Sequence, residues 1–283
     1  YSFTEKMKYC QRFTELANLF KQGADCRLTE TETSIRFFPF GSTSCSGETL
    51  PADSCIEENF FFEYPVFTPC GKQKQDKAIL LLHGLNERNW NKYLTWAEFL
   101  CNNTGKPVIL FPIAFHINRA PLSWSTPRTL SSLLSYRRDQ YTDDRSISFA
   151  NVALSDRISR NPERFYLSGR QTCADLTSLF ETIKTGRHPL FKEGTHIDIF
   201  AYSIGAFLSQ VTLMANPQGL FSDTRLFMFC GGSIFRSMRG VSRSIMDKAA
   251  FEKLYHYYVY VFGMEPTDQW FRDKAFDAFY RMI

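Results

Sequence analysis

The chain has 283 residues, of which 44% are hydrophobic and 16% aromatic, and its formal net charge is +4. Such a chain buries a sizeable core, which excludes a disordered protein and favours one large domain or a domain carrying an insertion. The basic residues form no dense run and no segment reaches the roughly 18 apolar residues of a membrane span, so we expect neither nucleic-acid binding nor a transmembrane segment.

The first third of the chain, residues 1–76, has the pattern of an accessory region that supplies the leading strands of a sheet. Apolar side chains at helical spacing predict a helix over residues 5–21, and two further runs predict strands over residues 34–40 and 60–67. A segment rich in Gly, Ser, Thr and Pro, residues 41–54, separates these strands, which we expect to be antiparallel. The charges within residues 1–20 exclude a signal peptide in this stretch, although one could have been removed upstream.

Eight cysteines are scattered along the chain without a Cys-x-x-Cys pair or the spacing of a zinc site. A chain of this size does not need disulfides to fold, so we expect free thiols in a reducing compartment, the cytoplasm, and no bound metal. Disulfides within the group Cys45, Cys55 and Cys70 are the alternative.

Strand and helix patterns alternate from residue 77 onward, which is the order of a mostly parallel sheet flanked by helices. A polar insert near residues 121–165 interrupts the alternation and contains a helical segment near residues 149–158. We predict an α/β core over residues 77–240 with four central strands, then a helical cap or lid over residues 241–283. The predicted core elements are a strand at 77–82, a helix at 91–102, a strand at 107–115, a helix at 172–184, and strands at 197–202 and 226–230.

The apolar run at 197–202 stops at Ser203, and an apolar helix is predicted to start directly after it. A sharp turn from strand to helix forces the serine into a strained backbone conformation with its hydroxyl exposed. The turn is tolerable only where the neighbouring residues are small, and Ala201, Gly205 and Ala206 meet that need. The pattern is that of a nucleophile elbow; an ordinary helix-capping serine is the alternative.

At this point the chain resembles the α/β-hydrolase superfamily over roughly residues 77–232. Two motifs carry the resemblance: the elbow Ala-Tyr-Ser-Ile-Gly at 201–205, and Leu-Leu-His-Gly-Leu-Asn at 81–86, which is similar to the His-Gly turn after an early strand. Ala201 stands where the family usually has glycine. Further details resemble a bacterial subfamily of uncharacterised function. The resemblance implies an α/β-hydrolase fold with Ser203 as the nucleophile.

Acyl transfer by this family also needs hydrogen-bond donors for the negative charge that develops on the substrate oxygen. The resemblance assigns this role to the backbone N–H of Ile204, at the start of the helix, and to a second N–H after His83-Gly84, that of Leu85. Because backbone groups donate, Gly84 matters for close approach rather than for its side chain.

The base that would activate Ser203 is difficult to assign. His256 is the one histidine that follows Ser203, and it lies in a segment with a helical pattern. Asp247 precedes it by nine residues, so on one helix the two side chains are about 13 Å apart and cannot touch. We therefore expect the acid and the histidine of the triad to lie beyond Ile283, with His256 as a minority candidate.

The strand predicted at 107–115 ends in a polar turn, where ligands of parallel sheets commonly bind. There, His116 and Arg119 are candidates to line a pocket together with His83 and Gly84, and Arg119 would hold an anionic substrate group. A loop histidine and a surface arginine are the alternative. The glycines at 231–232, after the next strand, indicate close approach of the backbone to a ligand or a neighbouring loop.

The sequence thus predicts a serine hydrolase that cleaves an ester, thioester or amide through an acyl-enzyme on Ser203. Its expected partner is a small, partly apolar acyl substrate, and no cofactor is expected. A member of the fold that lacks a complete triad and only binds ligands is the alternative, and an acyltransferase is a third hypothesis.

Overall fold

A computed structural model of the chain describes residues 3–43, 50–71, 74–264 and 273–283. The strands in these ranges are β1 (Cys26–Leu28), β2 (Thr33–Gly41), β3 (Phe61–Pro69), β4 (Gln75–Leu82), β5 (Val108–Leu110), β6 (Phe191–Tyr202) and β7 (Leu226–Phe229). They form one mixed sheet in the order β1-β2-β3-β5-β4-β6-β7.

The sheet has an antiparallel and a parallel half. β1, β2, β3 and β5 pair antiparallel, whereas β5, β4, β6 and β7 pair parallel. In the parallel half Leu82 lies opposite Ala201, and Tyr202 lies opposite Phe229. The carboxyl ends of β4, β6 and β7 therefore meet, and the residues that follow these three strands are neighbours.

The helices lie on both faces of the sheet and beyond its carboxyl edge. They are α1 (Phe3–Leu19), α2 (Glu57–Phe60), α3 (Asn91–Thr104), α4 (Pro127–Gln140), α5 (Val152–Arg160), α6 (Arg164–Lys184), α7 (Ile204–Ala215), α8 (Lys248–His256) and α9 (Lys274–Arg281). None of the helices in the described ranges is both long and apolar enough to cross a membrane.

β4 is an unbroken apolar run because helices cover both of its faces. Ile79 and Leu81 belong to the core that includes α1 and α3, whereas Ala78, Leu80 and Leu82 pack with α6 and α7. The alternation of side chains along a strand thus fills two cores at once.

The segment after β7 packs onto the core through aromatic side chains. α8, the π-helical segment Tyr257–Val261 and α9 share a buried cluster with α5 and α7. Within it, the rings of Phe207 and Phe279 are 5.9 Å apart, and those of Phe262 and Phe276 are 5.5 Å apart. These helices therefore form part of the packed molecule.

The predicted bounds of α1, β2, β3, β4, α3 and β7 are confirmed to within two residues, and β2 and β3 are antiparallel as expected. The strand predicted at 107–115 was wrong in length: β5 ends at Leu110, because Pro112 has no N–H for the ladder and Phe115 has a φ of 64°. α6 and β6 begin earlier than predicted, at Arg164 and Phe191.

The thiols of Cys10, Cys26, Cys55, Cys70, Cys173 and Cys230 are free. Cys55 and Cys70 therefore do not bond to each other. Cys45, the third member of the predicted group, lies outside the described residues, as do residues 44–49 of the loop before α2 and residues 265–272 of the C-terminal segment.

Candidate functional site

Ser203 occupies a sharp turn between β6 and α7. Its φ of 55° and ψ of −116° are strained for any residue other than glycine, and its side chain makes no capping hydrogen bond to α7. The Ser203 amide donates to the oxygen of Phe229 at 3.0 Å, and its carbonyl accepts from Ala206 at 3.0 Å. The backbone conformation is thus that of an elbow rather than an ordinary helix cap.

Two glycines allow this elbow to fit against the ends of the neighbouring strands. A Cβ at Gly205 would lie 2.8 Å from the oxygen of His83, at the end of β4. A Cβ at Gly231, after β7, would lie 2.4 Å from the Cβ of Ala206 and 3.0 Å from the oxygen of Ser203. The close approach predicted for the backbone at 231–232 is therefore confirmed at Gly231, and its neighbour is the elbow.

His83 is fully buried beneath the turn that follows β4. Its Nδ1 donates to the oxygen of Gly84 at 2.7 Å, which leaves Nε2 to accept from the amide of Ile113 at 2.9 Å. Burial holds the pKa of His83 well below its usual value of 6.5, and the nearby His116 lowers it further. A neutral imidazole with both nitrogens engaged fixes the turn and has no nitrogen left for a substrate.

The turn leaves two backbone donors near Ser203. The amide of Gly84 donates to the hydroxyl of Tyr93 at 2.9 Å. The next amide, that of Leu85, and the amide of Ile204 have no acceptor in the part of the chain that the structure describes. Both residues line the same cavity as Ser203, which is the arrangement expected for an oxyanion hole.

This cavity, the Ser203 cavity, has a volume of about 270 Å³ and a largely apolar lining. Apart from Ser203, its polar side chains in the described ranges come from the segment after β7: Cys230, Ser233, Ser237 and Arg239. The lining residues include no histidine, aspartate or glutamate. The described lining therefore offers the Ser203 hydroxyl, two amides and apolar surface, together with these four polar side chains.

The structure does not bring His256 to Ser203. His256 lies exposed at the end of α8, with its ring 5.5 Å from that of Tyr260, and it lines a different hollow. Asp247 caps the other end of α8 by accepting from the amide of Ala250 at 2.8 Å. The prediction that Asp247 and His256 cannot touch is confirmed.

Arg119 is neither a surface arginine nor open to a substrate. It is fully buried and pairs with Asp175 at 2.8 Å. It also donates to the backbone oxygens of Asn59, at 2.9 and 3.2 Å, and Pro112, at 3.1 Å. Burial lowers its pKa, and the carboxylate of Asp175 opposes that effect. The guanidinium thus fixes the chain segment that follows β5. Its burial differs from the expectation that Arg119 lines a pocket and holds a substrate anion.

His116 does line a cavity. It borders a small apolar cavity of about 50 Å³ that shares Leu85, Phe165, Ile204 and Phe207 with the Ser203 cavity. Its Nδ1 donates to the oxygen of Ala114 at 2.9 Å, and its buried Nε2 has no hydrogen-bond partner among the described residues. Burial lowers the pKa of His116 to about 4, so the ring is neutral.

Three solved structures are distantly similar to this chain. A PEG-bound cold-adapted esterase from an Arctic intertidal metagenomic library is 13% identical over 70% of this chain, with a TM-score of 0.38. A putative acetyl xylan esterase from Bacteroides fragilis NCTC 9343 is 13% identical over 72%, with a TM-score of 0.40. A mutant of esterase rPPE is 7% identical over 88%, with a TM-score of 0.43. The chain covers 62%, 49% and 59% of these three structures.

Sequence comparison gives a family. No curated protein sequence matches the chain. The model of a family described as "Family of unknown function (DUF6051)" matches residues 7–54 and 50–282, and the chain therefore belongs to this family.

Proposed function

We propose that the protein is a serine hydrolase of the α/β-hydrolase fold that cleaves an ester, thioester or amide through an acyl-enzyme on Ser203. One observation carries the proposal: Ser203 takes a strained conformation at the junction of β6 and α7 and lines a cavity together with Leu85 and Ile204, whose amides have no acceptor among the described residues. Strained non-glycine residues that the surrounding structure maintains cluster at functional sites.

The topology supports this assignment. Ser203 follows a central parallel strand, and the carboxyl ends of such strands are where ligands of open α/β sheets bind. The strand that carries the His-Gly turn pairs directly with the strand that carries the elbow. A crossover through α3 and β5 precedes the elbow strand along the chain, as the resemblance to α/β-hydrolases implies.

In the proposed reaction, the hydroxyl oxygen of Ser203 attacks the carbonyl carbon of the substrate. The electrons of the C=O bond move onto its oxygen, and the amides of Leu85 and Ile204 donate to that oxyanion. The positive end of the α7 dipole favours the same charge. The tetrahedral intermediate collapses, the leaving group departs with a proton, and water then hydrolyses the acyl-enzyme. Each donor of this kind contributes about 10²–10³ to the rate.

The reaction needs a base within hydrogen-bond reach of the Ser203 hydroxyl. The described lining of the Ser203 cavity contains no histidine, and both nitrogens of His83 are engaged. The proposal therefore keeps the expectation that the base, a histidine oriented by a carboxylate, lies beyond Ile283. The apolar lining favours a partly apolar acyl group.

Labelling with a fluorophosphonate probe tests the proposal directly. We expect the full-length protein to be labelled and Ser203→Ala to lose the label, because the probe bonds to an activated serine. Ser233→Ala is the matched control, since Ser233 is another serine that lines the same cavity but does not follow a strand in a strained turn, and it should keep the label. Absent labelling of the unaltered protein, or labelling that survives in Ser203→Ala, contradicts the proposal.

A second candidate is a ligand-binding protein without catalysis, which the absence of histidine and carboxylate from the described cavity lining favours. It predicts that an apolar acyl compound binds the cavity while the fluorophosphonate does not react. Binding measured by calorimetry beside the labelling experiment separates the two candidates.

A further inference from the structure

A second cavity begins where the donor turn ends. Leu85 lines the Ser203 cavity, whereas the next three residues, 86–88, line a separate cavity of about 100 Å³. His116 and Arg157 also line it, together with aromatic side chains of the loop after β5. We call this space the Arg157 cavity. The proposed acyl transfer assigns it no role.

Arg157, on α5, stacks against two aromatic rings. Its guanidinium carbon lies 3.4 Å from the centroid of the Trp124 ring and 5.6 Å from that of Phe115. Stacking of this kind holds the guanidinium plane while leaving its N–H edges unused. The side chain makes no hydrogen bond or ion pair with any residue in the described ranges. Burial lowers the pKa of Arg157 to about 9.

Three arginines are buried more fully than Arg157, which is half-buried. Each has a carboxylate partner: Arg119 has Asp175 at 2.8 Å, Arg137 has Asp247 at 2.7 Å, and Arg164 has Asp53 at 2.7 Å. The pairing has a physical cause, because a guanidinium removed from water without a counter-charge is costly. Arg157 has no carboxylate partner among the described residues, and a bound anion would supply the counter-charge.

In the described ranges, no carboxylate pairs with Arg157. The acidic side chains around it are engaged: Asp53 by Arg164 at 2.7 and 3.0 Å, Asp156 by Arg160 at 3.0 Å, and Glu87 by Lys92 and by the hydroxyl of Tyr93. Arg88, which also lines the cavity, adds a second positive charge and donates to the oxygen of Ala150 at 2.8 Å. Glu87 also lines the cavity, so a further negative charge facing Arg157 would come from a ligand.

His116 adds a second unmet group to the same lining. Its Nδ1 carries the proton that is donated to Ala114, so Nε2 has a lone pair, and this nitrogen is buried without a partner. Buried polar groups are almost always hydrogen-bonded in folded proteins. Arg157 and His116, each with a polar group that no described residue binds, thus line the same small cavity.

We propose that the Arg157 cavity binds a small oxyanion, a carboxylate or a phosphate group, on the N–H edge of Arg157, with an O–H of the same ligand donating to His116 Nε2. The planar guanidinium matches two oxygens of either group. A 2-hydroxycarboxylate and hydrogen phosphate both combine negative oxygens with an O–H. Binding at this site does not require Ser203 to react.

The test is thermal unfolding of the full chain at constant ionic strength, with chloride replaced stepwise by inorganic phosphate or by lactate. A ligand that binds the folded state raises the midpoint saturably. We expect saturation for the unaltered protein and an apparent Kd at least tenfold weaker for Arg157→Met, which keeps apolar packing on Trp124 without charge. The anion that saturates at the lower concentration identifies the source of the oxyanion.

Two further variants complete the test: one is a control, and the other is an alternative to Arg157→Met. Arg138→Met is the control, since Arg138 is exposed on α4 and does not line the Arg157 cavity, and it should respond as the unaltered protein does. Arg157→Lys keeps the charge but loses the planar fork, so its binding should be weaker than that of the unaltered protein, and it serves if Arg157→Met does not fold. The proposal is overturned if neither anion saturates, or if the Arg157 variants match the unaltered protein.

Discussion

Backbone packing, rather than a side-chain hydrogen bond, holds Ser203 in its strained conformation. The Ser203 amide is bonded to Phe229, Gly205 fits against the oxygen of His83, and Gly231 fits against the elbow itself. A strained backbone of this kind costs about 1–3 kcal/mol and persists only when its surroundings over-determine it. The glycines are therefore as necessary to the elbow as the serine.

Gly231→Ala should disturb the elbow from the strand next to it. The new Cβ would lie 2.4 Å from the Cβ of Ala206 and 3.0 Å from the oxygen of Ser203, so backbone must move. We expect the free energy of unfolding in urea to fall by about 1–3 kcal/mol, the range for an overpacked core. Under the proposed function, labelling of Ser203 should fall as well.

Gly169→Ala is the matched control for this change. Gly169 lies within α6, and a Cβ there meets nothing within 4 Å. Alanine should therefore stabilise the protein by about 0.5–1 kcal/mol through its better helix propensity. Effects of the same sign at the two glycines would contradict the steric account of the elbow.

Site residues could be predicted where a short sequence pattern determines their local structure. The elbow residues and the turn at His83-Gly84 follow short-range rules, and a reader of the sequence can find them. Arg119 could not be predicted, because its partner Asp175 comes from a distant helix. The role proposed for Arg157 could not be predicted either. It depends on stacking against Trp124, from another loop, and on the lack of a polar partner among the described residues.

At the scale of elements, one aspartate joins three helices. Asp247 caps α8 through the amide of Ala250, and its carboxylate accepts from Arg137 of α4 at 2.7 Å. Its own amide donates to the hydroxyl of Ser155, on α5, at 2.9 Å. The ion pair is buried, so the start of α8 is fixed to the insert by charge as well as by packing.

Asp247→Asn should destabilise the protein strongly. Asparagine still caps a helix, so the change removes the charge and leaves Arg137 buried without a counter-ion. We expect a loss of about 3–5 kcal/mol in the free energy of unfolding, measured in urea. Asp156→Asn removes a pair whose arginine, Arg160, is exposed, and it should cost less than about 1 kcal/mol. Equal losses would show that the Asp247 charge is not a determinant of stability.

Periodicity predicts an element well where the pattern reflects secondary structure alone. It predicted the bounds of α3 and β4 to within two residues. It also assigned the segment after Leu110 to β5, which is wrong: that segment is apolar because it is buried, not because it pairs in the sheet. α6 begins before its predicted start, where Arg164 pairs with Asp53 of a distant loop. Such tertiary contacts leave no periodic trace in the sequence.

At the scale of the molecule, the alternation of strands and helices predicted the parallel core, but not the order of its strands. β3 pairs with β5 rather than with β4, its neighbour along the chain, and β4 lies between β5 and β6. This order brings the ends of β4, β6 and β7 together around Ser203. The mixed sheet thus assembles the candidate site from segments that are far apart in the sequence.

Buried neutral imidazoles couple the stability of the whole molecule to pH. Burial lowers the pKa of His83 well below 6.5, and that of His116 and His188 to about 4. Below about pH 6.5 the unfolded chain binds protons at these positions and the folded chain does not. Stability that is present at neutral pH is therefore lost as the pH falls from about 6.5 towards 4.

His188→Asn should remove the contribution of His188 to this pH dependence. His188 Nδ1 accepts from the amide of Leu190 at 3.1 Å, an acceptor role that the asparagine oxygen can replace, and its Nε2 donates to the hydroxyl of Tyr64 at 3.0 Å. A pKa of about 4 against 6.5 in the unfolded chain makes the loss for His188 at pH 5 about 2 kcal/mol. Urea unfolding at pH 7 and pH 5 should show a drop smaller by about that amount in the variant. His256→Asn, a change at an exposed ring, should keep the full drop. An unchanged drop in His188→Asn would mean that this imidazole is protonated in the folded protein at pH 5.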